Sequence, residues 1–206
     1  MEITYADVDW LAHGWELGDV WCLTFVRGIE EAEALRRLGA REESIRLLSY
    51  RELTDEGLFP HTVLAGRLDA WVVIIERNGS AAMQLNVLQA LSAGTELVCV
   101  FRHDYANDLF VYAIDGEILT SFDPRKPGWR DGSDPDRLLD TMREVGIDPA
   151  HVPGNYVQHD DENEEFNIRR PAVDGALMLA ARLTGVVLSQ SVLNGPLLGG
   201  VVGPMR

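Results

Sequence analysis

The run Ala70-Trp71-Val72-Val73-Ile74-Ile75-Glu76 constrains the fold more than any other part of the chain. β-branched and aromatic residues fill most of it, so it reads as a strand, and both of its alternating faces are apolar. A strand of that kind is buried on both sides and belongs in the middle of a sheet, here over residues 70–77. Residues 20–27, built on Val20-Trp21-Cys22-Leu23-Thr24-Phe25-Val26 between Gly18 and Gly28, read as a second strand. Residues 61–66, 96–102, 108–114 and 117–122 supply four more. The last two flank Asp115-Gly116, a dipeptide that favours a type I′ turn and therefore a tight hairpin.

Helical spacing fills the gaps. Ile29, Ala32, Leu35 and Leu38 recur on one face, and Gly39 stands where a helix-stopping glycine belongs. A short helix is expected from Asp7 to Gly14, and one or two surface helices over 41–59. Ser80 is placed to cap a helix over 81–91, with Leu85, Leu88 and Leu91 on one side. Asp134-Pro135 reads as a cap followed by proline at the first helical position, opening a helix that carries Leu138, Leu139, Met142 and Val145 to Gly146. A helix from Pro171 to Gly185 and a last short one around Val192 and Leu193 complete the set. Strands in hairpins and a meander, with helices at both ends, predict an α+β fold. Its sheet is mainly antiparallel, of five or six strands, within a single domain over 1–206. An acidic connector near 155–169 and an apolar tail over 196–206 stand outside this pattern.

Charge limits the partners. Asp and Glu number 33 against 18 Lys and Arg, for a formal net charge of -15. Such a field repels phosphate backbones and anionic headgroups, which argues against nucleic acid and membrane and is compatible with a basic protein. The N-terminus has no basic segment followed by an apolar one, and no run is long enough to span a bilayer, so a cytoplasmic location is expected. Cys22 and Cys99 each lie inside an apolar strand and read as small buried hydrophobes rather than a disulfide framework.

The chain carries no Gly-x-Ser-x-Gly elbow, phosphate-binding loop, dinucleotide fingerprint or His-Glu-x-x-His helix, and neither a cofactor nor a metal is expected. The acidic run Asp160, Asp161, Glu162, Glu164 and Glu165 lacks the spacing of a calcium loop and reads as a solvated contact surface for a basic partner. Trp129, beside Arg130 in a glycine-bearing loop, has the composition of an interface hot spot. The leading expectation is a non-enzymatic protein-binding domain that uses Trp129, Arg130 and the acidic run, as an adaptor or an immunity-type partner of a basic protein. An acid–base enzyme built from Glu76, His103, Asp123 and His159 is the alternative. Burial would raise the pKa of Glu76 toward a general acid's, although a strand end beside Arg77 reads as emerging into solvent. A third reading is a homo-oligomer joined through the apolar tail, Leu197-Leu198-Gly199-Gly200-Val201-Val202, which otherwise docks back on its own domain.

Several stretches form a recognisable set: Trp10-Leu11 with Trp15, Trp21 to Gly28, Ala34 to Gly39, Trp71 to Gly79, Leu91-Ser92 with Gly94-Thr95, and Asp115-Gly116 followed by Ser121-Phe122-Asp123-Pro124. Together they resemble an uncharacterised actinobacterial family, a domain of unknown function. The resemblance covers the chain to about Gly185. It implies a bacterial, cytoplasmic, single-domain protein and supplies no catalytic residue. Lys126 is the one lysine among the 18 basic residues, which reads as the codon bias of a GC-rich bacterial genome.

Overall fold

The computed structural model describes residues 3–13, 16–104, 108–152 and 172–203. In chain order the elements are α1 (Tyr5–His13), β1 (Trp21–Arg27), α2 (Glu31–Leu38), β2 (Arg46–Ser49), α3 (Tyr50–Asp55), β3 (Thr62–Leu68), β4 (Trp71–Arg77) and α4 (Leu85–Ser92). They continue with β5 (Glu96–Arg102), β6 (Leu109–Ile114), β7 (Glu117–Phe122), β8 (Arg130–Asp131), α5 (Leu139–Glu144), α6 (Ala172–Thr184), α7 (Gln190–Leu193) and β9 (Pro196–Val201). Single 3-10 turns lie at Glu42–Ser44 and Ala81–Met83.

The fold is α+β, and every pair of neighbouring strands is antiparallel. The sheet holds nine strands, in the order β2-β9-β3-β4-β1-β5-β6-β7-β8, rather than five or six. The six strands expected from the sequence are present. The three additional ones are β2, β8 and β9, and each is short or glycine-bearing, which removes the alternation that marks a strand. β2 lies in the region expected to be helical, followed at once by α3, whose cap Ser49 accepts from the Glu52 amide in a capping box.

Pro196–Val201 of the apolar tail form β9, which pairs with β2 on one side and β3 on the other. Its glycines fit a crowded interior. A Cβ on Gly200 would come within 2.9 Å of the Ala40 Cβ. Residues 196–201 thus give their backbone to their own sheet.

Both faces of β4 and β1 are buried, as their composition demands. On one face Trp21, Leu23, Val73 and Ile75 pack with Leu11 of α1, Met142 of α5 and Leu177 of α6. On the other, Cys22, Val72 and Ile74 pack with Leu35 of α2 and Leu88 and Leu91 of α4. Asp115 and Gly116 have φ of 52° and 80°, the left-handed pair that a type I′ turn needs.

Two helix starts differ from expectation. Ser80 makes no side-chain cap, and the chain after it forms the Ala81–Met83 turn before α4 begins at Leu85. Asp134 pairs with Arg137 at 3.4 Å instead of capping, and turns precede α5 at Leu139.

Candidate functional site

β7 ends at Phe122, and the chain then makes a compact loop before returning as β8, where Arg130 pairs with Phe122 and Asp131 with Ser121. The loop is held at every step. The Arg125 amide donates to Asp123 Oδ1 at 2.9 Å, the Trp129 amide to the Lys126 carbonyl at 2.9 Å, and the Gly128 amide to the His151 carbonyl at 2.8 Å. Gly128 has no room for a side chain, because a Cβ would lie 2.7 Å from that carbonyl oxygen. The Arg130 side chain, only 13% exposed, donates to the carbonyls of Pro127 and Pro149 and pairs with Asp136 at 2.8 Å. Arg130 therefore braces the loop.

Trp129 is what this brace presents. Its residue is 60% exposed, with the Lys126 ammonium 5.8 Å from the ring centroid. Val152, 41% exposed, has a methyl carbon 2.7 Å from where a Gly128 side chain would begin. Asp131, Asp134, Asp136 and Asp148 are exposed on the segments that hold the loop. Beside it an open cleft of about 730 Å³ runs between Pro124, Pro127, Val145, Ile147 and His151. A rigid aromatic group with acidic neighbours loses little entropy when a partner covers it.

Glu76 does not emerge into solvent; it is 1% exposed. The turn after β4 folds back over it, and its carboxylate accepts from the amides of Ala81 at 2.6 Å and Ala82 at 3.0 Å. Burial pushes its pKa up, against the pull of the two amides and of Cys22. These contacts make it the anchor of the 3-10 turn, the task the sequence had given to Ser80.

The His103 backbone, not its ring, is linked to Asp123 through two residues absent from the sequence expectation, Asp108 and Arg125. The His103 amide donates to Asp108 Oδ1 at 3.0 Å, and Arg125 Nε lies 3.2 Å from Asp123 Oδ1 and 3.8 Å from Asp108 Oδ2. His103 Nδ1 lies 3.1 Å from Asp104 Oδ1. Burial, with the nearby Asp123 charge, pushes the Asp108 carboxyl up, and the His103 amide and Arg125 oppose it. Asp108, the first residue of the strand expected over 108–114, carried no sequence signal of this grouping. His159, Asp160, Asp161, Glu162, Glu164 and Glu165 lie outside the described residues.

No helix among the described residues is long and apolar enough to cross a membrane. No curated protein and no solved structure matches the chain. Over residues 1–196 it matches the family of unknown function DUF6461, and it belongs to that family.

Proposed function

We propose that this chain is a protein-binding domain, an adaptor or immunity-type partner, that docks a basic protein on the Trp129 face. The observation that carries the reading is a tryptophan left 60% exposed on a loop whose backbone and brace are fully engaged. Exposure of so large an apolar ring is costly unless something covers it, and aromatic anchors of this kind dominate interface energetics. The net charge of -15 favours encounter with a partner of opposite sign.

The test compares captured partners. The tagged protein should retain a basic protein from native lysate of its source at low salt and lose it as salt rises. Trp129→Ala should abolish that capture. Leu85→Ala, which trims another side chain that is 60% exposed, should leave it intact. The same captured proteins with Trp129→Ala as with the parent would overturn the reading.

The enzyme reading keeps one specific observation, the Asp108–Arg125–Asp123 grouping with its raised carboxyl. It requires a substrate that reaches Asp108. Asp108→Asn would then abolish turnover while leaving Trp129-dependent capture unchanged.

A further inference from the structure

The chain has two cysteines, 77 residues apart in sequence, and the fold brings both to one point. Cys22 on β1 and Cys99 on β5 stand on adjacent strands and face the α2/α4 layer. Their sulfurs are 3.3 Å apart, and both residues are wholly buried as free thiols. A third sulfur closes the triangle. Met83, the last residue of the 3-10 turn, places its Sδ 4.0 Å from Cys22 and 3.8 Å from Cys99.

The geometry points to a site for a single soft monovalent cation of the Cu(I) class, ligated by Cys22, Cys99 and Met83. A metal at the centre of three sulfurs with bonds of about 2.3 Å requires sulfur–sulfur separations of about 4.0 Å. Two edges of the triangle already have that length, and the Cys22–Cys99 edge needs to open by less than an ångström. Thiolate and thioether ligands select Cu(I) by softness. Zinc wants a fourth ligand, and among the described residues no three His, Cys, Asp or Glu side chains gather to hold a metal.

The Thr24 hydroxyl donates to Cys99 at 3.3 Å and lies 3.6 Å from Cys22, so it orients both sulfurs. Met83 is partly exposed, which puts the triangle one side chain below the surface. The turn that carries Met83 is tethered by Glu76 through Ala81 and Ala82, which holds the thioether over the two thiols. On binding, the metal leaves its donor's ligands, two S–H bonds give way to two metal–thiolate bonds, the Met83 thioether adds a third bond through a sulfur lone pair, both protons leave to solvent, and the metal keeps its oxidation state.

The experiment uses the reduced full chain under anaerobic conditions, with Cu(I) supplied by a chromophoric Cu(I) chelator in competition. One equivalent should transfer to the protein, and X-ray absorption should show three sulfur neighbours at about 2.3 Å. Met83→Leu, which conserves volume, should cut the sulfur count to two and weaken retention by at least about tenfold. Cys22→Ala and Cys99→Ala should abolish retention. If either cysteine variant fails to fold, Met83→Leu decides alone. No transfer from the chelator, or an identical sulfur count and affinity in Met83→Leu, would overturn the site. Capture of a partner through Trp129 does not depend on either result.

Discussion

Glu76 Oε2 lies 2.6 Å from the amide nitrogen of Ala81, and this contact ties the end of the central strand to the turn that covers the second core layer. Ala82 donates to the other oxygen at 3.0 Å. Glu76→Ala strands both amides, one of them fully buried, and should lower the unfolding free energy by roughly 2–4 kcal/mol. Urea unfolding followed by far-ultraviolet circular dichroism measures it. A loss under about 0.5 kcal/mol would show that water replaces the carboxylate without cost.

The same residue gives a pH signature. Burial raises the folded-state pKa of Glu76 above its ordinary 4.5, so the folded protein holds this proton more tightly than the unfolded chain does. Its contribution to stability is full below the ordinary value and falls as pH rises through the raised one. Glu76→Gln cannot titrate. The parent's stability minus that of Glu76→Gln should therefore be larger at pH 4 than at pH 7. A difference that stays flat or grows with pH contradicts the assignment.

Arg130 braces Trp129 through the Pro127 and Pro149 carbonyls and Asp136. A lysine cannot span these three acceptors, because its ammonium is a compact point charge and the guanidinium is a planar fork. Arg130→Lys should keep the fold, lower stability by roughly 1–2 kcal/mol and weaken partner capture almost as much as Trp129→Ala does. Trp129→Ala itself should leave stability within about 0.5 kcal/mol, since its ring is mostly in water. Full capture by Arg130→Lys would mean that the loop's rigidity has no part in binding.

The legible part of the fold was the part whose side chains alternate or repeat. β1, β4 and the β6–β7 hairpin declared themselves through apolar runs and an Asp-Gly turn, and α2 through its spacing and Gly39. β9 did not, because Gly199 and Gly200 occupy two of its six positions and strand propensity is low there. β2 did not, because a four-residue strand running straight into a capping box looks helical. At the site, Trp129 and Arg130 were visible as composition, but their division into presented ring and buried brace depends on carbonyls of Pro127 and Pro149, which no side-chain pattern encodes. Glu76 was misjudged for a related reason: the fold-back that buries it is made by backbone amides five and six residues on.

Placing β9 between β2 and β3 changes the expected result of removing the C-terminus. Deleting residues 196–206 should not convert an oligomer to a monomer with an intact fold. It should expose the inner edge of β3 and uncover Leu48 and Leu64, which pack around Gly199. The truncated chain should aggregate or unfold, as unpaired edges do. A soluble truncated monomer with the parent's circular dichroism spectrum and urea midpoint would refute the internal placement of this strand.

Tyr112 offers a last test, at the alkaline end. Its hydroxyl donates to Glu96 Oε1 at 2.7 Å, and the residue is 6% exposed. Burial, followed by the acceptor and charge of Glu96, pushes its pKa up to about 12. The unfolded phenol ionises near about 10. The folded pKa is the higher one, so the stability from this group is fully present below pH ~10 and is lost as pH rises toward 12. Ultraviolet titration of the parent minus Tyr112→Phe should show the missing phenol ionising near 12, well after an ordinary tyrosine. The variant should lose about 1 kcal/mol at neutral pH through the deleted hydrogen bond, and its remaining stability should decline less steeply above pH ~10. If the missing phenol instead titrates near 10, the hydroxyl is in water and away from Glu96, which contradicts their buried contact.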